Sequence, residues 1–149
     1  MFENILRFIF LLCIFFTPFH AISADYDGST TLSGVVNKLI EIKKYEINND
    51  VDPDTVGLPR AFVIDFKEKI VRPTKDSLVR RISKIKRIEH IENKLILQGV
   101  EEGVEGVNDG LGWSMTISKD TGTVVLVASD DQVAYVVFGT CTPAKKNNP

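Results

Sequence analysis

GWSMTISKDTGTVVLVASDDQVAYVVFG, residues 112–139, reads as three short strands separated by two tight turns. GWSMTIS (112–118), TVVLVA (123–128) and VAYVVFG (133–139) are rich in β-branched and aromatic residues, the types that fit a pleated, half-buried surface. KDTG joins the first two and SDDQ the last two. Both joints have a physical reason to turn. Gly122 tolerates positive φ, while Asp120, Asp130 and Asp131 can bond to their local backbone. Consecutive strands joined this tightly pair antiparallel, so the segment is a meander.

The strand pattern extends toward the N-terminus. AFVIDF (61–66) alternates Phe62, Ile64 and Phe66 with Val63 and Asp65, and a turn around Lys67 and Glu68 returns the chain through Ile70 and Val71. Residues 78–95 carry two patterns at once. Leu78, Ile82, Ile85, Ile88, Ile91 and Leu95 follow helical spacing with largely charged residues between them. KLILQGV (94–100) nevertheless reads as a strand, and Glu92-Asn93 as the turn that joins it to a preceding one. We read a hairpin there. Residues 33–47 place Val35, Val36, Leu39, Ile40 and Ile47 at helical spacing, with Lys43 and Lys44 where a helix dipole favours cations. A short helix is predicted. Polar, turn-rich loops are expected at 25–31 and 48–59, and a frayed polar tail at 142–149. The fold class expected is mainly β: an antiparallel meander curling into a small barrel or sandwich, with one N-terminal helix packed against it or joining it.

Residues 1–24 read as a Sec-type signal peptide. Arg7 supplies the cation, residues 8–16 the apolar core, Thr17-Pro18 a break, and Ser23 and Ala24 the small residues before cleavage. Cleavage is expected after Ala24, with Ser23 as the alternative. The apolar run is much shorter than the roughly 20 residues of a spanning helix, so no transmembrane segment is expected after processing. Cys13 would leave with the peptide. The remaining 125 residues suit one exported domain, 25–149, in the periplasm or secreted. Composition is 44% hydrophobic and 26% charged, which is globular and far from the signature of disorder. Net charge is −2, so no global field favours nucleic acid.

Several landmarks recur in a fixed order: DYDGS (25–29), LP (58–59) before the IDF strand, ILQGV (96–100), GWSM (112–115), the DTG turn (120–122) and the ending VFGTCTP (137–143). In these the chain resembles a family of small exported proteins of Gram-negative bacteria with no assigned activity. The resemblance implies export and a β-rich fold, and it transfers no catalytic residue. Members carry further cysteines in the N-terminal third, whereas Leu32, Ser33 and Gly34 stand here. A disulfide to the C-terminal cysteine is therefore missing from this chain.

Chemistry-bearing residues are sparse. Cys141 is the only thiol in 25–149, so no intramolecular disulfide can form; it is read as a buried apolar thiol, with an intermolecular bridge or a reactive thiol as alternatives. His90 is the only histidine there. Asp50, Asp52 and Asp54 begin like a calcium loop, but Thr55 replaces the required Gly and Ala61 the bidentate Glu. Glu101, Glu102, Glu105 and Asp109 form an acidic, Gly-rich loop. Neither run makes a metal site, and no cofactor motif occurs. The strongest local charge is Arg72, Lys75, Arg80, Arg81, Lys84, Lys86 and Arg87, with Asp76 the only anion among residues 72–87. A patch of this kind is either a solvated face or a contact for an acidic partner. It lacks the interleaved aromatics of a single-strand binder, which argues against nucleic acid. Trp113, Tyr135 and Phe138 are candidate pocket aromatics, and equally candidate core. The reading that follows is a noncatalytic module that binds an envelope or extracellular macromolecule. A carrier of a small apolar ligand in a β-barrel is the alternative, and a hydrolase ranks last.

Overall fold

The computed structural model describes residues 25–103, 106–107 and 109–144. Residues 1–24, where a signal peptide is expected, Glu105 and residues 145–149 lie outside the described residues. Nine strands form one antiparallel sheet: β1 (Leu32–Lys43), β2 (Glu46–Asn48), β3 (Ala61–Asp65), β4 (Ile70–Pro73), β5 (Ser83–Ile91), β6 (Lys94–Glu101), β7 (Leu111–Ser118), β8 (Thr123–Ser129) and β9 (Val133–Pro143). β1 pairs with both β3 and β9, so eight strands close into a barrel and β2 is an appended hairpin partner of β1. Closure removes the open edges that an eight-stranded meander would otherwise present.

The expected helix over 33–47 is a strand and a hairpin instead. A register shift between Val36 and Lys38 inserts one extra residue, a β-bulge. The bulge changes the phase of alternation. Val36 and Leu39, three apart, consequently both pack inward, while Ile40 and Ile42 fall on the opposite side. Two short-period runs joined by a bulge imitate a helical period. The same device lies in β5, where a shift between Ile85 and Arg87 lets Ile85 and Ile88 both reach the core. There the hairpin reading is correct, with the turn at Glu92-Asn93 and Glu92 at φ 48. The tail is also shorter than expected: Thr142 and Pro143 pair with Ser33 and Leu32, and Ala144 N–H donates to Thr31 C=O at 2.8 Å.

Two ends of the barrel are filled differently. At the lower end, Leu32, Ile64, Leu95, Ile117, Val124 and Cys141 are almost fully buried. The segment before β1 closes that end. Tyr26 inserts into the core, and Gly122, at φ 68, lies so close to its ring that a Cβ there would sit 2.6 Å from Cε1. Asp27 holds the segment by accepting from Ser29 N–H at 2.7 Å, which keeps its carboxyl below the ordinary value. The DYDGS landmark is thus a plug. At the upper end, residues 49–60 fold over the opening through a 3-10 turn at Pro53–Val56, capped by Asp52 and ended by Gly57 at φ 72. Val51, Val56 and Leu58 from this flap pack on Leu39, Tyr135 and Val137. Arg60 ties the flap to itself through Asp52 and through Asp54 at 2.7 Å, so two of the three aspartates that begin like a calcium loop are engaged in capping and ion pairing. No helix among the described residues is long and apolar enough to cross a membrane.

Candidate functional site: a cavity beneath the upper flap

Inward-facing residues of the upper half do not meet. Val36 and Leu126 point into the barrel yet keep part of their surface free, whereas Met115, the cross-strand partner of Leu126, and Leu97 beyond it are almost fully buried. Between them is a cavity of about 70 Å³, walled by Val36, Phe62, Met115, Val124, Leu126 and Val137 and roofed by Leu58 and Pro59. A second lobe of about 50 Å³ shares Leu58, Val71, Ser83, Glu101 and Leu126 and reaches Trp113. An unfilled apolar volume costs roughly 24 cal/mol per Å³, about 2 kcal/mol for the larger lobe.

Trp113 is held in this wall by Gly99. The two residues pair across β6 and β7, and a Cβ on Gly99 would lie 2.2 Å from Trp113 Cζ2 and 2.2 Å from the Lys84 carbonyl oxygen. Only glycine leaves room for the indole to lie over the strand. The ring is 8% exposed, and its Nε1 is buried with no acceptor among the described residues. A buried donor left unpaired costs about 1–3 kcal/mol and calls for an explanation.

The mouth is polar. Arg81 donates from Nη1 to Glu101 Oε1 at 3.1 Å and from Nη2 to Asp109 Oδ2 at 2.6 Å, and Ser83 Oγ donates to Glu101 Oε2 at 3.2 Å. These bonds hold the Arg81 guanidinium above its ordinary value, Glu101 first and Asp109 second. Arg72 also lines the cavity. It lies where β4 parts from β5, since the two strands share only the pairs Ile70–Lys84 and Val71–Ser83.

The seven cations divide accordingly. Arg81 is held beside the cavity by Glu101 and Asp109, and Arg72 borders it from the outward-facing position opposite Val63; Lys84 pairs with Glu102 at 2.7 Å and Arg87 with Glu89; Arg80 donates to the Lys75 carbonyl at 3.3 Å. Lys75 and Lys86 are exposed. Three of the seven are therefore ion-paired, which lowers the charge the patch offers a partner. The aromatics divide too. Trp113 forms cavity wall, Tyr135 belongs to the cluster beneath the flap with its hydroxyl raised by burial, and Phe138 lies on the outer face, 41% exposed and paired with Val125. Tyr135 and Phe138 are three apart on one strand, so they face opposite sides. Cys141 is 2% exposed at the lower end, and burial pushes its thiol up to about 12. Met115 alternates with Ser114 and Thr116, which marks it as inward-facing; Val124 and Leu126 stand in the continuous apolar run VVLVA, where no local pattern gives the inward side or the fit found there.

No family model, no curated protein and no solved structure matches the chain.

Proposed function

We propose that this protein is an exported, noncatalytic carrier that binds a small, mainly apolar ligand inside its barrel. The observation that carries this reading is the unfilled apolar chamber beneath Leu58, walled by inward residues of β1, β3, β7, β8 and β9 and continued by a second lobe that Trp113 lines. Ligand pockets of this kind are mostly apolar with a few placed polar groups, and barrel mouths are a common place for them. The reading of a basic face for a macromolecule has less support, because Arg81, Lys84 and Arg87 already have carboxylate partners. The chamber also limits size. About 70 Å³ is roughly half the volume of an engineered cavity that admits benzene, so the ligand is short or inserts only one end.

Trp113 is the sole tryptophan of the chain, so its emission reports on the chamber directly. Titration with 1-hexanol should shift that emission saturably. Leu126→Phe, which fills the chamber with an extra ring, should abolish the shift while the melting temperature stays level or rises. Saturable binding that survives Leu126→Phe unchanged would place the ligand elsewhere and end this reading.

A further inference from the structure

The outside of the barrel is charged on one side and nearly bare of charge on the other. β5 carries Lys84, Lys86, Arg87 and Glu89 within a single strand. Across the barrel, the register sets the outward residues of β2, β1, β9 and β8 in rows. Ile47, Ile42 and Ala134 stand side by side in one row, and Ile40, Val136 and Val127 in the next. Phe138 and Val125 form a third, and Val35 beside Thr140 lies past it. Direct cross-strand partners project to the same face, so these side chains are contiguous. Lys38, beside Phe138 at the border of the third row, is the only charged residue among these positions. Six of the apolar members, Val35, Ile42, Ile47, Val125, Val127 and Phe138, are between 37% and 61% exposed.

We infer that this face docks a second copy of the chain, sheet on sheet, in a two-fold dimer. The six exposed side chains offer roughly 500 Å² of surface per chain, the upper end of what a monomer leaves in one patch, and two copies together bury about 1,000 Å², where specific interfaces begin. Half-exposed Ile40, Val136 and Ala134 add to that area. A two-fold contact sets one patch against itself, so a charge at its centre would meet its own copy; the central row of Ile40, Val136 and Val127 holds none. A strongly charged partner finds nothing here to pair with, and a lipid surface finds no cluster of cations for its headgroups. Closure of the barrel fixes the mode of contact. The terminal strand of the sheet, β2, is three residues long, so addition of strand to strand offers little. Two sheets packed face to face at roughly 10 Å interdigitate their side chains, which places Val136 near the two-fold axis and leaves Lys38 at the rim in water. An interface at the small end of the range makes a reversible dimer, dependent on concentration. The chamber lies inside the wall and this face outside it, so the inference stands apart from the carrier reading.

Sedimentation of the mature chain, 25–149, over a concentration series tests this. A monomer–dimer equilibrium with a dissociation constant of about 1–100 μM is expected, little weakened by salt. Val127→Lys puts a charge inside the patch and should weaken the dimer at least about tenfold. Phe138→Ser, which removes the largest side chain of the patch, should act in the same direction. Both positions are exposed, so both variants should melt close to the parent. Leu78→Lys, at an exposed apolar residue outside the patch, should dimerise like the parent. A parent chain that stays monomeric up to about 1 mM overturns the inference. A dimer that persists undiminished in both Val127→Lys and Phe138→Ser overturns it too, because the contact must then lie elsewhere. Flotation with neutral phosphatidylcholine vesicles is the remaining arm: a monomer that binds them, and releases them on Val127→Lys, gives the face to a lipid surface and overturns the second copy as its occupant.

Discussion

Gly99→Ala is the smallest change that tests the architecture of the upper barrel. Its added methyl would sit 2.2 Å from Trp113 Cζ2 and 2.2 Å from the Lys84 carbonyl oxygen, against an ordinary contact of 3.4–4 Å. Each neighbour must therefore retreat by more than 1 Å. The indole can pivot toward the empty lobe. The Lys84 carbonyl cannot move without disturbing the bulge between Ile85 and Arg87, which sets the curvature of β5 against β6. Overpacking of a dense interior costs about 1–3 kcal/mol, and a backbone obstacle places this case at the upper end, about 3 kcal/mol. For a domain of this size 1 kcal/mol moves the midpoint by about 4 °C, so a fall of roughly 12 °C is expected. Urea unfolding followed by Trp113 emission measures both parts at once, because the same indole reports stability and its own displacement. A double-mutant cycle with Trp113→Leu, its unfolding followed by circular dichroism because that variant lacks the indole, separates them: the coupling recovers the share due to the ring and leaves the share due to Lys84. A variant within 0.5 kcal/mol of the parent, with emission unchanged, would show that the ring does not lie over Gly99, and the described chamber wall would be refuted.

Two further outcomes follow from buried groups. Cys141 should label slowly with a thiol reagent in the native state and fast in denaturant, with no dimer on a nonreducing gel; Cys141→Ser should cost about 1–3 kcal/mol through a hydroxyl placed among apolar side chains. Rapid native labelling would contradict its burial at the lower end. Glu41 is 6% exposed and accepts from Asn48 and from Lys43, each at 2.9 Å; the Asn48 bond and then Lys43 hold its carboxyl below the ordinary 4.5. A carboxyl depressed in the folded state stabilises fully above its unfolded value and loses that contribution as pH falls through the folded one. Glu41→Gln should therefore be less stable than the parent near neutrality, by about 1 kcal/mol because Lys43 is half exposed, and the difference should shrink in acid below pH 4.5. A difference that does not change with pH would show that Glu41 acts through packing alone.

The sequence makes the fold legible wherever strand, turn and partner are adjacent. β7, β8 and β9 need only short runs rich in β-branched and aromatic residues and the turns at Gly122 and Asp130, where Asp130 accepts from Gln132 N–H at 2.6 Å and Val133 N–H at 2.7 Å. β3 and β4 are as clear, with Asp65 accepting from Lys67 and Glu68 N–H at the turn. Legibility fails at β1 because its alternation is interrupted. The bulge near Asn37 puts Val36 and Leu39 on one side, and three-residue spacing is what a helix also produces. The β-branched content of SGVVNKLIEIKK was the better guide, since valine and isoleucine pay for a helix in side-chain freedom. In β5 the same ambiguity was resolved only by the neighbouring turn and strand. Barrel closure itself rests on β1 pairing with β9 across nearly the whole chain, a contact that no local pattern encodes.

The site was less legible than the fold for a related reason. Arg72 and Arg81 were visible as members of a cationic run, yet what distinguishes them from Lys75 or Lys86 is the end of the β4–β5 ladder, a property of pairing and not of composition. Trp113 was visible as an aromatic on a strand; the room its ring takes against β6 depends on Gly99, fourteen residues earlier. The two observations have one origin. A closed barrel must bend its strands, and here the bends are made by bulges in β1 and β5 and by glycine facing inward on β6. Each bend removes a side chain from the interior or turns one away from it. At the lower end Tyr26 fills what is left, while at the upper end the flap contributes Leu58 as a roof and no aromatic plug. The chamber is thus where the curvature of the barrel goes uncompensated by packing, next to the break where β4 and β5 stop pairing.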